Sequence, residues 1–146
     1  MAIEVFKSVA QSKKGTQVEC DSRGHKFIID EPKKLGGTDT GANPVEALLA
    51  ALGACKCIVI KSFARKHGID IKDLKVEVEG DLDTDGFLGK NKAAKMGFTN
   101  IKTKIYIESD TPREQLEEFI GFVNRTCPVS DTLENSPNLE SELIIK

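Results

Sequence analysis

The 146-residue chain has no tryptophan, one tyrosine and seven phenylalanines. So few aromatic faces offer no platform for stacked bases. With 21 basic against 23 acidic residues, a formal net charge of −2, the electrostatic footprint of a nucleic-acid binder is also missing. Nucleic acid is excluded as a partner. The start, MAIEVFKSVAQSKK, has no basic segment leading into an apolar run, so no secretory leader is expected. The longest apolar stretch, Ala47–Cys55, ends at Lys56 and falls short of the roughly 18 residues of a membrane span. A cytoplasmic protein without a membrane partner is the expectation. No internal repeat or low-complexity tract interrupts the chain, and its length suits one domain over residues 1–146.

Hydrophobic residues make up 39% and charged residues 30%, enough apolar material for a core. The first third reads as β: Ile3, Val5 and Val9 alternate with polar residues, then Thr16–Cys20 and Lys26–Ile29 follow, divided by Gly15 and Arg23-Gly24. A loop carries Pro32, Gly36, Gly37 and Gly41. Asn43-Pro44-Val45-Glu46 then combines an N-cap, a first-turn proline and a capping-box acid. The helix it opens runs to about His67, with Gly68 as terminator. It is apolar on most sides through its first half, so other elements or a second subunit must wrap it. Leu74, Val76 and Val78 mark a strand, Gly80–Thr99 an irregular segment, and Ile101, Thr103, Ile105 and Ile107 a second strand. Thr111-Pro112-Arg113-Glu114 repeats the helix-start chemistry, and Leu116, Phe119, Ile120 and Val123 share one helical face. A short helix after Cys127-Pro128 and a strand at Glu142–Ile145 complete an α+β reading, mainly antiparallel.

Four cysteines stand at 20, 55, 57 and 127. In a reducing compartment such a set points to catalysis or metal binding before a structural disulfide framework. Cys20, inside a strand, reads as a small buried hydrophobe. Cys55 and Cys57 project about 200° apart on one helix, so they do not ligate one metal unaided. Tetrahedral zinc needs two further ligands, and neither His25 nor His67 stands at a familiar spacing. Cys127 has the better local electrostatics. Pro128 suits the first turn of a new helix, which puts Cys127 at the N-cap, where amide dipoles favour a thiolate. Cys55, a dozen residues into its helix, gains little from a dipole.

Other signals lead nowhere. Gly36-Gly37 precedes a helix, but no Gly-Lys-Ser/Thr follows and Pro44 removes an amide donor, so a phosphate loop is excluded. Asp81, Asp83, Asp85 and Gly86 echo a calcium loop whose required glutamate is here Lys92. Lys90, Lys92 and Lys95 read as a solvated loop.

Two separated motifs carry a resemblance. Asp30-Glu31-Pro32, Leu35-Gly36-Gly37 and the run Gly41-Ala42-Asn43-Pro44-Val45-Glu46-Ala47-Leu48-Leu49-Ala50-Ala51-Leu52-Gly53-Ala54-Cys55 resemble the signature stretch of the OsmC/Ohr proteins; Cys127-Pro128-Val129-Ser130 resembles their second landmark. The order of elements agrees as well. The resemblance implies an intertwined homodimer with the long helices at its centre, and the small residues Ala50, Gly53, Ala54 and Cys57 would suit their close approach. It implies a thiol peroxidase with no metal and no bound cofactor. Cys55 would attack a hydroperoxide and become a sulfenic acid, Cys127 would resolve it to a disulfide, and a dithiol reductant of lipoyl type would restore both. The local argument makes Cys127 the more acidic thiol, whereas the resemblance gives it the resolving role. An activating arginine is implied in the N-terminal β region, where Arg23 stands, with Arg65 as the other option. The organic-hydroperoxide branch carries a glutamate ten residues before the helix cysteine. This chain has Val45 there and Glu46 one residue later, as in a less specialised branch. A non-catalytic thiol sensor or small-ligand binder on the same scaffold is the alternative.

Overall fold

The computed structural model describes all 146 residues, which fall into two compact units, 1–50 and 51–146. The first unit holds an antiparallel sheet of β1 (Val9–Ser12), β2 (Val18–Ser22) and β3 (His25–Ile29) in that order. Val18 pairs with Ile29 and Ser22 with His25, so the β2–β3 hairpin turns at Arg23-Gly24, both at positive φ (59° and 88°). The turn chemistry forecast this hairpin. The strand expected at Ile3 and Val5 does not form: pairing begins at Val9, and Ile3, Val5 and Phe6 are almost fully exposed. An alternating pattern makes a strand only where a neighbouring edge accepts its backbone bonds, and this segment meets none.

The loop after β3 is organised by Asp30. Its buried carboxylate accepts from Thr16 Oγ1 at 2.6 Å, Glu31 N at 2.8 Å, Thr38 N at 3.1 Å and Thr40 Oγ1 at 2.9 Å. Gly37 lies so close to Glu31 that a Cβ would stand 1.8 Å from that residue's carbonyl oxygen, which explains the second glycine of the Gly36-Gly37 pair.

Helix α1 (Pro44–Phe63) begins as expected. Asn43 Oδ1 accepts from Glu46 N and Glu46 Oε2 from Asn43 N, each at 2.9 Å, a reciprocal capping box. A 3₁₀ turn, Ala64–His67, extends it to Gly68 in the left-handed region, φ 67°. Contrary to the expectation from composition, Pro44–His67 is long and apolar enough to cross a membrane. A third of its apolar window is buried in the fold, where Leu52, Val59, Ile60 and Ala64 belong to the core and Lys56 is buried beside them.

The second unit pairs β4 (Asp73–Leu82) with β5 (Phe98–Glu108), antiparallel, with Val76 opposite Ile105 and Leu74 opposite Ile107. Both strands are longer than the sequence suggested, taking Gly80–Leu82 and Phe98–Thr99 from the segment read as irregular; the rest includes a short helix, α2 (Thr84–Phe87), capped by Asp83. α3 (Arg113–Thr126) starts one residue after Pro112, without a side-chain cap. Thr111 Oγ1 instead accepts from Asp70 N at 3.4 Å. α4 (Pro128–Glu134) follows at once. Leu74, Val78, Ile101 and Ile105 turn one sheet face to α1 and α3, and between them lie Leu52, Ile60, Phe119 and Val123. Gly53, expected to serve a helix–helix contact with a second copy, lies against β4 of its own chain. A Cβ there would meet Val78 Cγ2 at 3.2 Å, while Ala50 and Ala54 are exposed. The strand expected at Glu142–Ile145 is also missing. Residues 135–146 carry no regular structure, and Leu143 and Ile145 stand 84% and 85% exposed.

Candidate thiol site

Two cysteines 72 residues apart in sequence meet in the second unit. Cys55 Sγ and Cys127 Sγ lie 2.9 Å apart as free thiols, within hydrogen-bonding reach and outside the about 2.05 Å of a disulfide bond. Each arrives for a local reason. Cys55 follows the α1 face that buries Leu52 and Lys56, so its sulfur sits at the edge of the core, partly exposed. Cys127 ends α3 and caps α4. Proline at the next position forces it into extended backbone, φ −75° and ψ 111°, and its sulfur accepts from Ser130 N at 3.5 Å. Only 1% of Cys127 is exposed.

The electrostatics of the two sulfurs diverge. Burial pushes the Cys55 thiol above its ordinary range, the Cys127 sulfur adds to that, and the Val129 amide and the Lys56 charge oppose it. Burial also acts against a Cys127 thiolate. It is outweighed by hydrogen bonding from Cys55 and from the amides of Ser130 and Val129, so that thiol falls below its ordinary range. Of the two sulfurs, Cys127 at the cap of α4 is therefore the one that gives up its proton more readily. This agrees with the N-cap argument made from sequence.

The remaining candidates are placed elsewhere. Arg23 lies on the exposed β2–β3 turn in the first unit and enters no ion pair. Arg65 and Cys57 line a separate cavity of about 420 Å³ with Lys61 and Lys72. Cys20 is buried in β2. Glu46 is occupied by the capping box. The ring of His67 lies 5.1 Å from Phe119 and 4.4 Å from Phe122, a packing role. Among the three aspartates read against a calcium loop, Asp83 caps α2 through Asp85 N and Asp81 accepts from Asn100 Nδ2 at 3.2 Å.

Sequence reasoning overlooked Lys56. The residue is 6% exposed and its ammonium donates to Asn124 Oδ1 at 2.8 Å. A lysine four residues after Leu52 and four before Ile60 lies on the buried stripe, and that spacing was the available signal.

Comparisons with known proteins agree with this architecture. Residues 37–142 match the family model described as OsmC-like protein. The hydroperoxide reductases of Mycoplasma genitalium and Mycoplasma pneumoniae are 29% and 30% identical to the chain, over 72% and 70% of it and 71% and 70% of their own lengths. The crystal structure of an OsmC-like protein from Mycoplasma pneumoniae superposes with a TM-score of 0.79 at 26% identity, covering 91% of this chain and 89% of that one. The run Gly41–Cys55 and the later Cys127-Pro128 fall inside the matched residues, and the chain belongs to the OsmC-like protein family.

Proposed function

We propose that this chain is a cysteine-based peroxidase that reduces organic hydroperoxides to alcohols, with Cys55 and Cys127 as its redox pair. The observation that carries the reading is the 2.9 Å approach of two free thiols, one of them held at a helix N-cap. Relatives that bear the name hydroperoxide reductase support it.

The two thiols share out the work by access and charge. Cys127 is sealed, whereas Cys55 is partly exposed, so a hydroperoxide meets the Cys55 sulfur. Passing the Cys55 proton to Cys127 across the shared hydrogen bond gives the attacking thiolate, which reconciles a more acidic Cys127 with attack by Cys55. The Cys55 sulfur takes the terminal peroxide oxygen and the O–O bond breaks. The alkoxide leaves and is protonated to the alcohol, and Cys55 becomes a sulfenic acid. Cys127 then displaces hydroxide from that sulfur, releasing water and forming the disulfide. A dithiol reductant, of the lipoyl class in this proposal, takes the disulfide back to two thiols through a mixed disulfide. No metal or bound cofactor enters.

We also propose a homodimer. Ile58 is 64% exposed on the middle of α1, and Val45 and Leu48 stand uncovered on the same helix. Ile3, Val5, Phe6, Leu139 and Leu143 are more than four-fifths exposed at the two ends of the chain. A buried Glu31 oxygen, Oε2, finds no donor within the chain. So much uncovered apolar surface is characteristic of a subunit that is completed by a partner.

A second reading keeps the pair and drops the turnover. Burial that holds the Cys55 thiol above its ordinary range slows nucleophilic attack, which suits a thiol sensor or small-ligand binder. Turnover of cumene hydroperoxide with dithiothreitol or dihydrolipoamide separates the two. The peroxidase account expects sustained turnover by the wild type, none by Cys55→Ser, and a single uncompleted oxidation by Cys127→Ser. A wild type that oxidises once and stops with both reductants is a sensor.

A further inference from the structure

We propose that Lys56 and Asn124 are positioning residues: their hydrogen bond holds the two thiol-bearing segments in register, and the Lys56 ammonium, on the residue next to Cys55, favours the thiolate of that cysteine. The inference deepens the proposed function and rests on Cys55 and Cys127 acting as a redox couple. Lys56 follows Cys55 directly in α1, and Asn124 lies one helical turn before Cys127 at the end of α3. A single 2.8 Å bond between residues 68 apart thus pins the same two segments whose sulfurs stand 2.9 Å apart.

Register alone does not explain why the donor is charged. A glutamine or a serine could bond Asn124 without carrying an ammonium into the core, and burying a charge is costly unless it is paired. Lys56 is buried, has no carboxylate within 4.0 Å, and bonds a neutral acceptor. Its charge thus has no carboxylate partner in ion-pair range, and it acts on Cys55, the residue before it on α1, in favour of the thiolate. The other charged groups around it do not cancel it. Arg113 and Glu117, which share a cavity of about 700 Å³ with Lys56, are bound to each other at 2.7 Å, and Glu134 at the same cavity is exposed and beyond ion-pair range. Ser130, whose amide caps the Cys127 sulfur, lines the adjoining cavity together with Lys56, so the two residues border one space.

Two thiol measurements on the full chain test this, neither needing a peroxide. The first is equilibration with glutathione, in which the dithiol plus one oxidised glutathione gives the Cys55–Cys127 disulfide plus two reduced glutathiones. The second is the pH profile of iodoacetamide alkylation, mapped to Cys55 by mass spectrometry. Lys56→Met, which keeps apolar packing, should lower the disulfide equilibrium constant about tenfold at a pH below the alkylation midpoint, where both thiols are protonated and register alone sets it, and should move that midpoint upward through the lost charge. Asn124→Asp keeps the bond but gives the ammonium a counter-charge, so at that same pH the equilibrium should stay within about twofold of wild type while the midpoint still rises. Lys56→Arg should return the midpoint toward the wild-type value, a rescue that a purely structural role does not predict. A folded Lys56→Met with both readouts unchanged overturns the proposal. Should that variant not fold, an unmoved midpoint in Asn124→Asp overturns the charge role by itself. Wild-type protein without peroxide turnover, whose variants nevertheless respond as described, removes the peroxidase reading and leaves the clamp standing.

Discussion

At the scale of single residues, the site depends on which groups the fold leaves with partners and which it leaves with charge. Asp30 shows the first case. Hydrogen bonds from Thr16, Thr38 and Thr40 outweigh desolvation and hold its carboxyl well below the usual carboxylate range. A carboxylate whose folded pKa is depressed contributes stability that is fully present above its unfolded value of about 3.9, and loses it as pH falls toward the folded value. Asp30→Asn replaces two accepting oxygens by one and turns an N–H₂ toward the donors of Thr38 and Thr40. The variant should melt several degrees lower than wild type at pH 7 by differential scanning fluorimetry, with the gap narrowing in acid. A gap that is constant from pH 7 down to pH 3 would show that the charge of Asp30 does not matter. Cys127 is the second case. Its lowered thiol means that the first proton of the pair should leave below the ordinary thiol range near pH 8.5, as followed by ultraviolet thiolate absorbance. Ser130→Pro removes the amide donor at the Cys127 sulfur, and that first ionisation should then move to higher pH.

At the scale of elements, α1 carries most of the design. Its start was legible because capping chemistry is local: Asn43, Pro44 and Glu46 act over one turn. Asn43→Ala should cost about 1 kcal/mol in urea unfolding, in the range of lost N-caps. The close contact of α1 with β4 at Gly53 was misread. A run of small residues says that something comes near, and only tertiary packing says what. Gly53→Val should push α1 away from Val78 and lower both the melting temperature and the rate of Cys55–Cys127 disulfide formation. If only stability falls, the spacing of α1 from the sheet does not set the sulfur geometry. The β4–β5 pair was equally legible in its centre, where alternation is strict, and not at its ends. Gly80 and Phe98 lie there, with a Cβ on Gly80 only 2.6 Å from the Phe98 ring, and the glycine reads as loop in sequence although the ring covers it in space. The two strands expected at the chain ends are the opposite error. Ile3, Val5 and Glu142–Ile145 have strand patterns but no edge to pair with in a single chain.

At the scale of the whole molecule, those unpaired ends and the uncovered middle of α1 lead to one expectation. A chain of 16.0 kDa should sediment at twice that mass, and Ile58→Lys should shift it toward the monomer. Monomeric wild type at micromolar concentration would leave the exposed apolar surface without an occupant and refute the dimer. The thiol pair was legible only in part. Motif resemblance named Cys55 and Cys127, and local electrostatics identified Cys127 as a cap. Their contact across 72 residues, and the buried Lys56 beside it, belong to packing that no local pattern encodes. The central claim is that these two sulfurs, and no others of the four, are the redox couple. One equivalent of cumene hydroperoxide added to the fully reduced protein, followed by alkylation and peptide mapping, tests it most directly. The account predicts loss of two thiols, with Cys55 and Cys127 joined and Cys20 and Cys57 still alkylated. Four surviving thiols, or a disulfide that includes Cys20 or Cys57, would contradict it.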